Sequence, residues 1–552
     1  MAPVRLALAQ TNPVVGDISG NLDAIFTQVK LAAAERADIV LFGEMALSGY
    51  PIEDLAQRAS FLETCEKAVQ DFAGRLQDSG LGNICVVLGH PAPAPIDAQN
   101  GWAIAQNCAS ILMDGEVIGK YAKHHLPNYS VFDEYRIFVP GSESLNFTVN
   151  GLNFAILICE DIWQAGGPVA SLKETDTDVA LVLNGSPFEV GKYQTRVDLV
   201  TQLAKEAGCG VVYVNLVGGQ DDLVFDGSSL VADGKGNLVL EVQSFSESRD
   251  VIEIESATKI VASSSRKAVT PDDNAQVWNA LVVGLRDYVN KNGFPSVILG
   301  LSGGIDSAVC AAIAVDAIGA SRVFGVSLPS MYSSDHSKSD AFDLAERLGV
   351  QIRTEAIAAM VDVTEKQLGL DGVAAENLQA RVRGLILMAL SNAEGHLTLT
   401  TGNKTELAVG YSTIYGDSVG GYAPIKDVPK MLVWQLARWR NEQAIREGKR
   451  PPIPENSIEK PPSAELRPGQ LDQDSLPEYD LLDRILAAYI DDRLGRDQII
   501  ALGIAAETVD RIISLVDRAE WKRRQGAIGP KISGMAFGRD RRMPITNKFK
   551  QH

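Results

Sequence analysis

Two groups of residues in this 552-residue chain have types and settings that could do chemistry. In the N-terminal half, the apolar run 39–42 ends in Gly43-Glu44 and a second, 154–158, ends in Cys159-Glu-Asp161. Between them stands Tyr121-Ala-Lys-His-His-Leu-Pro127. Open α/β sheets place reacting groups at the carboxyl ends of their strands. A thiol attacks a carbonyl only after giving up its proton. A nearby carboxylate can take that proton, and an ammonium can stabilise the oxyanion that forms. Glu44, Lys123 and Cys159 together would therefore suffice for amide hydrolysis without a histidine. Singly, each has an ordinary reading: a core cysteine, a turn carboxylate, a solvated lysine. His124 and His125 are read as structural, since the trio needs neither.

In the C-terminal half, Val297-Ile-Leu-Gly-Leu301 runs into Ser302-Gly-Gly-Ile-Asp-Ser307 and then into a helical apolar stretch. Gly303 and Gly304 let the backbone curl so that successive N–H groups face one anion. The helix N-terminus adds partial positive charge, and Ser302 and Ser307 can donate hydroxyl hydrogen bonds. These features describe a phosphate site. The lysine of GxxxxGK[ST] is absent, so this is not the common loop for γ-phosphoryl transfer.

Both groups need strands and helices to hold them. Over the first 250 residues, β-branched runs alternate with amphipathic helical stretches, a pattern of sheets covered by helices. Residues 256–273 turn polar and include Ser263-Ser-Ser265. After them the order is strand 296–301, helix 307–317, strand 323–328 and helix 337–348, the βαβα pattern of a doubly wound parallel sheet. The expected division is a first domain over 1–258, a linker over 259–274 and a second domain over 275–552. Residues 449–480, rich in proline and charge, are expected to form a surface excursion.

Composition narrows the function classes. With 45% hydrophobic and 22% charged residues, the chain can build a sizeable core. Its 51 Lys+Arg against 70 Asp+Glu give a formal charge of −19, which argues against a nucleic-acid platform but not against a small phosphorylated ligand. No run of about 18 apolar residues occurs, so no membrane span or membrane partner is expected. The start lacks a signal-peptide pattern. Six cysteines without a CxxC pair read as reduced thiols, and the expected setting is the cytoplasm. The C-terminal cations Lys522, Arg523, Arg524, Lys531, Arg539, Arg541, Arg542, Lys548 and Lys550 form a basic cluster in this acidic chain.

The motif SGGxDS at Ser302–Ser307 resembles the loop of the ATP pyrophosphatase family, which cleaves ATP between the α and β phosphates. That resemblance implies that the loop binds ATP and that Asp306 helps to hold Mg²⁺. Leu399-Thr-Thr-Gly-Asn-Lys-Thr-Glu406, Tyr415-Gly-Asp417 and Pro424-Ile-Lys-Asp-Val-Pro-Lys430 resemble the NAD synthetase branch. The branch implies that Thr401 and Arg383 contact ATP and that Glu406 is a second Mg²⁺ ligand. It also implies that Asn377, Asp417, Lys430 and Lys531 meet deamido-NAD. The Phe537-Gly-Arg pattern implies a basic segment closing over substrate phosphates.

Glu44, Lys123 and Cys159, in that order, resemble the triad of the nitrilase (carbon–nitrogen hydrolase) superfamily. The resemblance implies a four-layer α-β-β-α sandwich with Glu44 as general base, Lys123 as oxyanion stabiliser and Cys159 as nucleophile. Lys120 competes with Lys123, but Lys-x-His-Leu starting at Lys123 fits the family pattern better. Tyr129, Glu160 and Ser186 occupy positions that hold substrate in the glutaminase branch, with Glu134 supporting the triad. Lys192 or Arg196 would face the glutamine carboxylate, and the sequence does not choose between them. Over essentially the whole chain the fusion resembles the glutamine-dependent NAD synthetases. This implies small-molecule substrates (glutamine, ATP, deamido-NAD), an ammonia passage between the sites and a homo-oligomer.

Overall fold

The computed structural model describes residues 3–263, 272–331, 335–463, 465–467 and 469–549. Two compact units emerge, one of residues 1–220 and 224–271, the other of 221–223 and 272–552.

In the first unit the chain runs β1 (Val4–Gln10), α1 (Ile18–Ala34), β2 (Ile39–Phe42), α2 (Ala59–Asp78), β3 (Cys85–Pro93), β4 (Ala105–Met113), β5 (Glu116–Ala122), β6 (Asn146–Val149), β7 (Leu152–Ile158), α3 (Gly167–Glu174), β8 (Val179–Asn184), α4 (Lys192–Ala207) and β9 (Gly210–Asn215). It closes with β10 (Val217–Gln220), β11 (Leu223–Asp226), β12 (Leu230–Ala232), β13 (Leu238–Glu241), β14 (Ser248–Ser256) and β15 (Lys259–Ala262). The strands form a seven-stranded sheet, β15-β14-β1-β2-β3-β4-β5, and a six-stranded sheet, β13-β12-β9-β8-β7-β6, with β10 and β11 paired separately. Strand side chains alternate faces. Leu6 and Leu8 of β1 pack with Ile156 and Ile158 of β7 in a core between the two sheets. Ala7 and Ala9 turn the other way, against α1 and α2 through Ile25, Val29, Val69 and Phe72. On the far side, Ala155 and Leu157 meet Leu172 of α3 and Val200 of α4. The layers are therefore α-β-β-α, as the triad's resemblance implied.

Residues 259–262, assigned from sequence to the linker, instead pair with β14 as β15. The two-residue turn after Ser256 folds this short β-branched run back, and Ile260 is buried in the inter-sheet core. Residues 264–271 of the expected linker lie outside the described residues.

The second unit continues α5 (Asp273–Lys291), β16 (Val297–Gly300), α6 (Ile305–Ile318), β17 (Val323–Ser327), α7 (Asp335–Leu348), β18 (Gln351–Thr354), α8 (Ala358–Leu368), α9 (Gly372–Glu394), β19 (Leu397–Thr398), α10 (Lys404–Val409) and α11 (Lys430–Arg446). Its sheet, β18-β17-β16-β19, is parallel throughout. Helix α9 places Leu387 on Ile298 and Val326, while α6 packs against α5 and α11. The described part of residues 449–480 does not stay at the surface throughout. Ile453, Ile458, Leu476 and Tyr479 are buried, the last two in a helical core with Leu482, Ile512 and Phe537. Apolar residues spaced among prolines carry this segment inward, which its composition concealed.

Among the described residues, no helix is long and apolar enough to cross a membrane. The six cysteines are all unpaired and buried.

Candidate active sites

Glu44 follows β2, Lys123 follows β5 and Cys159 follows β7, so the three reach one place from strands of both sheets. The Lys123 ammonium lies 2.8 Å from Glu44 Oε1 and 2.9 Å from Glu134 Oε2. All three side chains are almost fully excluded from solvent, with relative exposures of 1%, 1% and 2% for Lys123, Glu44 and Glu134. An ammonium at that depth is tolerable only because two carboxylates surround it. Burial would drive its proton off, but Glu134 and Glu44 outweigh this and hold the Lys123 ammonium well above the usual lysine range. Glu134 is pushed up to about 7 by burial, with Lys123 opposing and the Glu44 charge reinforcing the shift.

Two further donors hold Glu44. Asn107 Nδ2 donates to Oε1 at 2.7 Å and the Gly185 amide donates to Oε2 at 2.7 Å. The Tyr50 hydroxyl donates to Glu134 Oε1 at 2.8 Å. Sequence reasoning missed Asn107, Gly185 and Tyr50. For Asn107 a signal existed: it is a buried amide inside the apolar strand β4, a position that demands a partner.

Cys159 opens a 3₁₀ turn, Cys159–Ile162, directly after β7. Its φ of +42° is left-handed, a conformation costly for a residue with a Cβ and concentrated at functional sites. Burial and then the Glu44 charge raise the thiol well above the usual cysteine range, against the pull of Lys123. Attack by this sulfur therefore requires a partner that takes its proton.

Around this cage, the Tyr129 hydroxyl donates to Glu160 Oε2 at 2.9 Å and Gln164 donates to Oε1 at 3.1 Å. The Ser186 amide donates to Asn215 Oδ1 at 2.9 Å, fixing the chain after β8. The structure separates the two candidate cations. Arg196 is fully buried; it donates to both oxygens of Asp226 at 2.8 Å and to the carbonyls of Ser186 and Pro187 at 3.0 Å. Lys192, the first residue of α4, is pushed down to about 8 by burial and by the neighbouring Arg196 charge. Arg196 is thus committed to the fold. His124 and His125 contribute backbone rather than rings here, since both amides donate to Asp161.

In the second unit, Ser302–Ser307 forms the turn from β16 into α6, with Gly304 as the N-cap residue. Gly303 has φ +78°, and a Cβ there would stand 2.5 Å from the Ser337 carbonyl oxygen on α7. No other residue fits. The Gly304 amide and the Ser307 hydroxyl lie 3.2 Å from Ser302 Oγ. Asp306, in the first turn of α6, receives Asn403 Nδ2 at 2.9 Å and also takes the Lys430 ammonium. Lys430 reaches Glu406 Oε1 as well, at 3.1 Å, and sits over the rings of Trp434 and Tyr479. Burial pushes Glu406 up to about 7, with Lys430 opposing.

Asp306 and Glu406 thus converge on one cation position. Magnesium is commonly held by one or two protein carboxylates together with substrate phosphates. Two carboxylates beside the Ser302–Ser307 turn fit that donor set, and among the described residues no group of three or more His, Cys, Asp or Glu is placed to hold a metal ion.

The other predicted residues fall as follows. Thr413 links Asn377 and Asp417: its hydroxyl donates to Asn377 Oδ1 at 2.7 Å and its amide to Asp417 Oδ1 at 2.6 Å. Thr400, beside Thr401, donates to the Asp417 carbonyl at 3.0 Å. Thr400, Glu406, Asp417 and Lys426 line one small pocket. Arg383, on α9, donates to the Leu328 carbonyl at 3.1 Å beyond β17. Lys531 is buried and paired with Asp540 at 3.1 Å. Much of the basic C-terminal cluster serves the fold: Arg523, Arg524 and Arg541 all converge on Glu520.

The fold and the two sites define a carbon–nitrogen hydrolase joined to an ATP-using synthetase. Family models agree, with Carbon-nitrogen hydrolase matching residues 5–258 and NAD synthase matching 277–526. The chain is 45% identical to the glutamine-dependent NAD(+) synthetase of Acinetobacter baylyi, over 100% of this chain and 99% of that protein. It is 41% identical to the Thermotoga maritima synthetase, over 100% of both chains. The solved glutamine-dependent NAD+ synthetase from Acinetobacter baumannii, in complex with ADP, is 43% identical, covers 100% of both chains and superposes with a TM-score of 0.77. The chain belongs to the glutamine-dependent NAD(+) synthetase family.

Proposed function

We infer that this chain makes NAD⁺ from deamido-NAD, ATP and glutamine, releasing glutamate, AMP and pyrophosphate. The observation that carries this reading is the presence in one chain of the Glu44–Lys123–Cys159 cage and of the Ser302–Ser307 loop ending in the Asp306–Lys430–Glu406 cluster.

Tyr129, Glu160, Ser186 and Lys192 hold glutamine, with the Lys192 ammonium facing its α-carboxylate. The Cys159 thiol attacks the side-chain amide carbon and passes its proton to Glu44. The oxyanion of the tetrahedral adduct is stabilised by Lys123, which two carboxylates keep protonated. Glu44 returns the proton to the departing nitrogen, leaving a thioester and ammonia, and then activates the water that releases glutamate.

In the second unit, the Ser302, Gly303, Gly304 and Ser307 groups cradle the β and γ phosphates of ATP. Arg383 and Thr401 contact the nucleotide. Asn377, Asp417, Lys430 and Lys531 hold deamido-NAD so that its nicotinate carboxylate attacks the α-phosphorus. Pyrophosphate leaves, and ammonia displaces AMP from the resulting acyl adenylate. Asp306 and Glu406 would hold Mg²⁺, which when bound neutralises triphosphate charge. Ammonia must travel sheltered from water, where it is mostly protonated and no longer nucleophilic. We place this chemistry in a cytoplasmic homo-oligomer, with the domain change falling after β15 and before α5.

The test is product analysis with deamido-NAD as acceptor. AMP, pyrophosphate and glutamate should appear together with NAD⁺, whereas ADP as the nucleotide product would overturn the assignment. A second prediction concerns Gly89 of β3. A Cβ there would lie 2.5 Å from the Gly43 carbonyl oxygen and 2.6 Å from the Met45 amide, against the backbone that carries Glu44. Gly89→Ala should therefore displace Glu44 and lower glutamine-supported kcat by about 10²-fold, the cost of an ångström-scale misplacement. Ammonia-supported synthesis should persist, and wild-type kcat with glutamine would show that the base does not need this close packing.

A further inference from the structure

Lys123 and Cys159 approach each other from different sheets. Lys123 follows β5, the edge strand of the seven-stranded sheet, and Cys159 follows β7 of the six-stranded sheet. Hydrophobic packing between sheets is non-directional, so it does not by itself set their separation to the tolerance that catalysis needs. The Asp161 side chain spans the gap. Asp161 is completely buried, and its carboxylate accepts four hydrogen bonds. Oδ1 receives the amides of His124 at 3.1 Å and His125 at 2.9 Å, the two residues after Lys123. Oδ2 receives the Tyr121 hydroxyl of β5 at 2.7 Å and the Ile158 amide at the end of β7 at 2.9 Å. The donors lie on both sides of Lys123 and immediately before Cys159, whose backbone is already in a costly left-handed conformation.

We propose that Asp161 is the positioning residue of the amidase site, a four-point tie that holds the Lys123 segment against the Cys159 turn across the two sheets. This rests on Lys123 and Cys159 being the reacting groups. Asp161 touches neither substrate nor reacting atoms and acts through the backbone it holds. A buried carboxylate with its hydrogen bonds satisfied is a stable tie. An asparagine of equal size cannot replace it: its amide group presents N–H toward N–H, leaving at least one backbone donor unpaired.

The experiment compares Asp161→Asn, Tyr121→Phe and Cys159→Ala in the full-length enzyme, with steady-state rates on glutamine and on ammonium chloride. Cys159→Ala checks the underlying reading separately: if it still turns over glutamine, that reading fails, whatever the tie does. With that control inactive on glutamine, Asp161→Asn should lower glutamine-supported kcat by about 10- to 100-fold through misplacement of the reacting groups. KM for glutamine should stay within about threefold, because the loss is in the chemical step rather than in binding. Ammonia-supported synthesis should remain. Tyr121→Phe removes one donor of the four and should lower kcat by about 3- to 10-fold with KM unchanged; it also tests the tie should Asp161→Asn not fold. Wild-type kcat in both variants, a loss confined to KM, or an equal loss with ammonia would overturn the proposal.

Discussion

Cys159→Ala is expected to reduce glutamine-supported NAD⁺ formation by at least about 10³-fold, the scale of losing a covalent nucleophile, while ammonium salts still support synthesis. Only the nitrogen source is removed. The substitution deletes one sulfur atom from a buried turn and keeps the Cβ, so the left-handed backbone at 159 bears the same cost as before. Glu44, Lys123 and Glu134 bond to one another and to Asn107, Gly185 and Tyr50, so their network does not depend on the thiol. Initial rates with glutamine and with ammonium chloride, on the same preparation, decide the matter. If the ammonia reaction falls equally, Cys159 is structural or the two activities cannot be separated.

Asp306→Ala should have the opposite selectivity, removing synthesis with either donor by about 10²-fold or more, since it strips charge stabilisation from the phosphoryl chemistry both reactions share. Asp306 and Glu406 share the Lys430 ammonium, and Asn403 orients the other oxygen of Asp306. Alanine removes one of the two carboxylates that converge there and leaves Lys430 paired with Glu406 alone. Nucleotide would then meet a site with one cation ligand instead of two. Rates with both donors over a range of Mg²⁺ concentrations provide the check, and normal turnover would exclude Asp306 from holding the metal.

Much of this was legible before any coordinates. The alternation of Leu6 and Leu8 with Ala7 and Ala9 announces a strand packed on both faces. The glycine pair at 303–304 between an apolar strand and an apolar helix announces the tight turn found between β16 and α6. Glu44, Lys123 and Cys159 could be picked out together, by their order and its resemblance to the nitrilase triad, although each alone has an ordinary reading. The less legible parts share one property: they depend on which distant segments meet. Residues 449–480 look solvated by composition yet bury Ile453 and Tyr479. Residues 259–262 look like linker yet add an edge strand, because a neighbouring strand offers the pairing.

The order of residue types along this chain was sufficient to specify two α/β units, the strand ends that carry Glu44 and Cys159, and the loop that begins at Ser302. Those are local properties, set by side-chain periodicity and backbone preference over a few residues. Tertiary structure alone decided how the charges are shared. It committed Arg196 to Asp226. It enclosed Lys123 between two carboxylates, placed Lys430 between two more, and tied β5 to β7 through Asp161. An ionic partner is chosen by distance and burial, and both arise only when sheets and helices pack.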